Sequence, residues 1–147
     1  MRGTSAITGS RIERPGFVWI AVVLEVVTAI GAIPVGIMFL GDPSGGLVGM
    51  PSAWIERSAF GSYLVPGLYL LFVNGFGMLL LAFLTIRRHP VAPWLTGALG
   101  VGMLIWILVE ILVLPETSFL TWAFLAIGLA LGFVALFWLS RLGWRRG

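Results

Sequence analysis

The stretch Val91–Leu114, "VAPWLTGALGVGMLIWILVEILVL", decides the fold. It holds a single charge, Glu110, and its few polar side chains make no continuous polar face. As a helix rising about 1.5 Å per residue, it is roughly 35 Å long. That is enough to cross a hydrocarbon layer of roughly 30 Å. A helix at the surface of a soluble protein would carry a polar stripe, which this stretch lacks.

Three more windows read the same way: Phe17–Leu40, Leu64–Ile86 and Phe119–Leu139. Across all four the only charges are Glu25 and Glu110. Of the 147 residues 59% are hydrophobic and 10% charged, where a soluble domain carries about 25% charged. The mean hydropathy is +1.06. The expected fold class is therefore all-α, a four-transmembrane-helix antiparallel bundle. A secretory leader would explain the first window only if a short apolar core met a small-residue cleavage pattern. The run instead leads into "FLGDPSGG" with no A-x-A, so it is read as a retained helix.

The arginines set the expected orientation. Arg2, Arg11 and Arg14 precede the first window, Arg87 and Arg88 separate the second and third, and Arg141, Arg145 and Arg146 follow the fourth. Only Arg57 lies in the other connections, together with Asp42, Glu56 and Glu116. The positive-inside rule places the arginine-rich side, and both termini, in the cytoplasm. Trp19, Trp94, Trp138 and Trp144 fall near that boundary and Trp54 and Trp122 near the other, as interfacial aromatic belts do. The expected layout is one membrane domain over 1–147. It has cytoplasmic tails 1–16 and 140–147, helices 17–40, 64–86, 91–114 and 119–139, and an external loop 41–63. The high pI, about 10.6, comes from arginines gathered at helix ends rather than along a stripe, so no nucleic-acid partner is expected.

The connections are unequal. "RRHP" and "PETS" are tight turns, so the last three helices form a meander, with Thr117 or Ser118 capping the fourth. The long loop opens with the turn cluster "GDPSGG". "PSAWIERSAFG" then predicts a short interfacial helix with Pro51 in its first turn and Gly61 past its end. Met50, Trp54, Ile55 and Phe60 would lie along the membrane surface or cap the bundle mouth. Trp54, Phe60 and Tyr63 are the expected lid residues.

Chemistry-bearing residues are few. With no cysteine, thiolate metal sites, Fe–S ligation and disulfides are excluded, and His89 in "RRHP" reads as a solvated turn residue. No metal site or cofactor is expected. The candidate ligand or proton site is built from the polar residues inside the membrane: Glu25, Thr28, Asn74, Glu110 and Trp106. Straight-helix depths put Glu25 roughly 12 Å, Asn74 roughly 18 Å and Glu110 roughly 28 Å from the arginine-rich end, with Thr28 near the level of Asn74. The two carboxylates are thus too far apart for paired acid–base or di-metal chemistry. Glu25 has no basic residue in any window, so it is expected to be protonated, or bonded to Asn74 and a hydroxyl, and to face the bundle interior. Interhelical hydrogen bonding is the plain reading of that ladder, and a ligand anchor or proton site the sharper one. Glu110 shares a helix face with Trp106 and is expected to bond the long loop through its backbone N–H groups, Ser58, Tyr63 or Arg57. Gly97, Gly100, Gly102, Gly128 and Gly132 allow close helix contact, and Pro34 should kink the first helix by freeing the Ile30 carbonyl.

The succession "GDPSGGLVGMP", "SAFGSYLVPGLYLLFVNG" and "WILVE" resembles small uncharacterised four-helix integral membrane proteins of bacteria, over about Leu24 to Leu139. The general plan is also similar to the DoxX-like families, some of whose members are linked to quinone or redox chemistry. No residue motif of theirs is matched, so no site residue is carried over. Arginine without any lysine fits a GC-rich bacterial source. The expected function is a non-enzymatic protein of the bacterial inner membrane, an accessory or small-lipid-binding subunit. Its expected partners are the lipid bilayer, a hydrophobic ligand or quinone, and a membrane protein or second copy of itself. The alternatives are a proton-coupled oligomeric transporter or channel titrating at Glu25, and a quinone- or lipid-linked redox partner.

Overall fold

The computed structural model describes residues 16–143. Arg2, Arg11, Arg14, Arg145, Arg146 and Trp144, with most of both expected tails, lie outside the described residues. Among the described residues all regular structure is helical. Helix α1 spans Gly16–Gly41, α2 spans Ser52–Glu56, α3 spans Leu64–Ile86, α4 spans Ala92–Val113 and α5 spans Phe119–Gly143. All but α2 are long and apolar enough to cross a membrane. The four-helix expectation holds, and this is a multi-pass membrane protein.

Helix α1 packs along α3, and α4 along α5; α1 also meets α5, and α3 meets α4, which closes the bundle. The α1–α3 approach is close because Gly36 has no side chain. A Cβ there would lie 2.8 Å from the Leu71 backbone nitrogen and Cβ. Gly100 meets Gly128 and Gly132 in the same manner between α4 and α5, as the small-residue spacing predicts. Bilayer lipid supplies no hydrophobic force between helices, so such backbone proximity matters more than large apolar contacts. Large apolar side chains instead point outward: Leu112 and Phe133 are each 76% exposed. In water that surface would be an aggregation hazard; in a bilayer it is the lipid face.

One departure from regular α-helix was not anticipated. Helix α3 contains a π-helical segment, Leu70–Gly77, that includes Asn74. Each π turn leaves an i→i+5 bond pattern, which α-helices adopt rarely and often near functional residues. Pro34 lies inside α1, which runs on from Gly16 to Gly41.

The loop between α1 and α3 is folded onto the bundle. The Asp42 carboxylate accepts from the Ser44 hydroxyl at 2.5 Å, the Ser44 amide at 3.1 Å and the Leu47 amide at 3.2 Å. These bonds, the hydroxyl's foremost, hold its carboxyl below the usual carboxylate range. Gly45 follows with φ +90°, a conformation L side chains rarely adopt, and a Cβ there would strike the Tyr63 ring at 2.7 Å. Helix α2 is shorter than the expected helix, with Pro51 just before it and Gly61 in a later turn at φ 64°.

Candidate functional site

Glu25 lies on the inner face of α1 and is fully buried. A carboxyl group there needs polar partners, because no water reaches it. Its partners are not Thr28 or Asn74. The Thr28 hydroxyl donates to the Leu24 carbonyl one turn back, at 2.8 Å, and no hydrogen bond joins it to Glu25 or Asn74. Asn74 is buried in the π segment with its Oδ1 unpartnered. The mid-depth ladder is therefore not a connected set.

What meets Glu25 instead is Thr96, near the start of α4, whose Oγ1 lies 3.2 Å from Glu25 Oε1. The same hydroxyl lies 2.9 Å from the Ala92 carbonyl. Thr85, near the end of α3, is close enough to influence the carboxyl, although no bond of standard geometry joins them. Glu25 Oε2 and Thr85 Oγ1 are both left without partners. All three residues are at most 1% exposed. Three helices thus contribute to one small polar site near the end that carries Arg87 and Arg88. Sequence reasoning missed Thr85 and Thr96. The available signal was a lone hydroxyl near the arginine-bearing end of each apolar window, in "FLTI" and in "WLTG".

Glu110 corrects a second expectation. Its Oε1 accepts from the Thr121 hydroxyl at 2.7 Å, and nothing in the loop bonds it. Thr121 belongs to the first turn of α5, where it exchanges weak bonds with Ser118. The tight turn after α4 brings this donor to Glu110 from eleven residues away. The loop donors once expected here are used locally. The Ser58 hydroxyl donates to the Ile55 carbonyl at 2.6 Å, and the Tyr63 hydroxyl to the Pro51 carbonyl at 3.2 Å.

Trp106 does not act with Glu110 either. It stacks on Tyr69 of α3, ring centroids 4.7 Å apart and 13° from parallel, and the Tyr69 hydroxyl donates to the Gly102 carbonyl at 2.9 Å. This pair ties α3 to α4 beneath the loop. Above it, Tyr63 is 2% exposed and stacks on Phe39 at 4.8 Å, with Ile55 packed into the same cluster and Phe60 against it. Trp54 is half-buried. With Phe60, Arg57, Ser58 and Ala59 it forms one wall of an open groove of about 380 Å³. Val109, Leu112 and Val113 of α4 form the other wall. Arg57 is exposed, and its side chain makes no ion pair or hydrogen bond with the described residues. Among the described residues no group of three metal-ligating side chains occurs.

Comparison with known protein families, with characterised proteins and with solved structures finds no match, and the likeness in plan to the DoxX-like families is not among the findings.

Proposed function

We propose that this is a non-enzymatic protein of the bacterial cytoplasmic membrane that binds a small lipid or other hydrophobic ligand beneath its long loop, as an accessory subunit. The observation that carries this reading is the groove between the loop and α4. Its walls are apolar, Leu112 opens it toward the lipid face, and an unpaired arginine and a serine stand at its loop side. Lipid and drug-sized sites combine a largely apolar lining with a few placed polar groups in this way. The arginine bias supports an orientation in which Arg87 and Arg88 face the cytoplasm and the groove faces outward.

The test is photo-crosslinking with a diazirine-bearing phospholipid in bilayers containing the full chain. Adducts are expected to concentrate at Val109 and Leu112 over the equally lipid-exposed Phe133, and to fall severalfold in Trp54→Ala/Phe60→Ala. Uniform labelling of all exposed positions, unchanged by the double variant, would refute a bound ligand. Orientation is read from single cysteines at Ala53 and His89, since the native chain has none. An impermeant thiol reagent on intact cells is expected to label only the first.

A further inference from the structure

The polar site at Glu25 can be closed completely by counting protons. A hydroxyl carries one proton to donate and can accept as well. Thr96 Oγ1 faces two oxygens, the Ala92 carbonyl at 2.9 Å and Glu25 Oε1 at 3.2 Å, and can donate to only one of them. If Glu25 were ionised, a fully buried carboxylate would rest on this shared donor and on Thr85, with no cation to offset it. Among the described residues no charged group supplies that offset: Glu25 bonds the Thr96 hydroxyl and no cation, while Arg87, Arg88 and His89 beyond α3 and Arg141 on α5 are exposed. An isolated buried charge of this kind is costly enough that the group neutralises instead.

We infer that Glu25 is a proton-binding site, held as the neutral carboxylic acid by Thr96 and Thr85. In this arrangement the Glu25 O–H donates to Thr96 Oγ1, and the Thr96 hydroxyl donates its own hydrogen bond to the Ala92 carbonyl. A small rotation of the Thr85 side chain would let its hydroxyl donate to the remaining carboxyl oxygen, Oε2. Every hydroxyl proton is then used, and that rotation would pair the two buried atoms that otherwise lack partners, Glu25 Oε2 and Thr85 Oγ1. The bound proton becomes the tie that joins α1, α3 and α4. The inference is independent of the groove, which lies at the opposite end of the bundle.

Infrared spectroscopy of the full chain in lipid at neutral pH tests it. The wild type minus Glu25→Gln difference is expected to show the carbonyl stretch of a protonated acid. Thr85→Val should shift that band upward in frequency by removing the bond to Oε2. Thr96→Val should shift it too, and Thr96→Ser should restore its position. Thr121→Val, which touches Glu110 instead, should leave it in place. Carboxylate bands in the difference spectrum would overturn the proposal. Should Glu25→Gln fail to fold, a protonated band that does not respond to Thr85→Val and Thr96→Val overturns it equally.

Discussion

The molecule keeps two carboxyl groups inside its apolar helices and treats them differently. Glu25 is sealed between α1, α3 and α4, reached by hydroxyls from helices far apart in sequence. Glu110 is half-buried at the loop end of α4 and takes its hydroxyl from the very next turn. One site is long-range and fully dry; the other is local and partly open. The difference teaches where a membrane protein places dependence on tertiary structure. A carboxyl with no route to water requires the rest of the bundle to be assembled around it. A carboxyl one turn from the boundary needs only a neighbouring helix start.

Truncation is expected to separate the two sites most sharply. Glu25→Ala removes a buried side chain and leaves a cavity between α1, α3 and α4, so it should cost about 3 kcal/mol. Glu110→Ala should cost about 1 kcal/mol, because a half-buried group loses one bond and can be rehydrated. Reversible unfolding in lipid bicelles measures both, and equal losses would erase the distinction. Gly36→Ala comes next. It leaves both carboxyl sites untouched but forces α1 away from Leu71, with an expected loss of about 2 kcal/mol and a faster hydrogen exchange along α3. An unchanged exchange pattern would show that backbone proximity is not what joins α1 to α3.

At the loop end, Tyr63→Phe keeps the stack on Phe39 and deletes only the bond to the Pro51 carbonyl. A loss of about 1 kcal/mol is expected, visible as increased proteolysis between Gly41 and Tyr63 with the helices intact. The smallest effect belongs to Asp42. Its carboxyl titrates below the ordinary range because the bound form is the charged one. Its contribution is therefore complete above the ordinary aspartate range and is lost as pH falls through the depressed value. Amide exchange at Ser44 and Leu47 should rise in acid, and Asp42→Asn should show the faster exchange at neutral pH. Exchange that is independent of pH in both chains would remove Asp42 from the turn.

Much of this protein follows from its sequence alone. Four apolar windows long enough for a bilayer dictate four helices, because an unpaired backbone cannot rest in lipid and a helix satisfies itself. The turn residues of the loop, the Ser118 cap on α5 and the inward burial of Glu25 were legible for the same kind of reason: each depends on a residue and its near neighbours. The partners of the carboxyl groups were not. Depth along a helix is one coordinate, read at 1.5 Å per residue, and it ranked Thr28 and Asn74 as companions of Glu25. Which side chains meet also depends on how each helix is turned, tilted and staggered against the next. Those choices are fixed by contacts such as Gly36 on Leu71 and Tyr69 on Trp106, and they bring Thr96 and Thr85 to Glu25. The π segment around Asn74 and the bond from Thr121 to Glu110 belong with them. Local chemistry determined the helices and their ends, while the meeting of polar groups waited on packing between segments that sequence distance does not order.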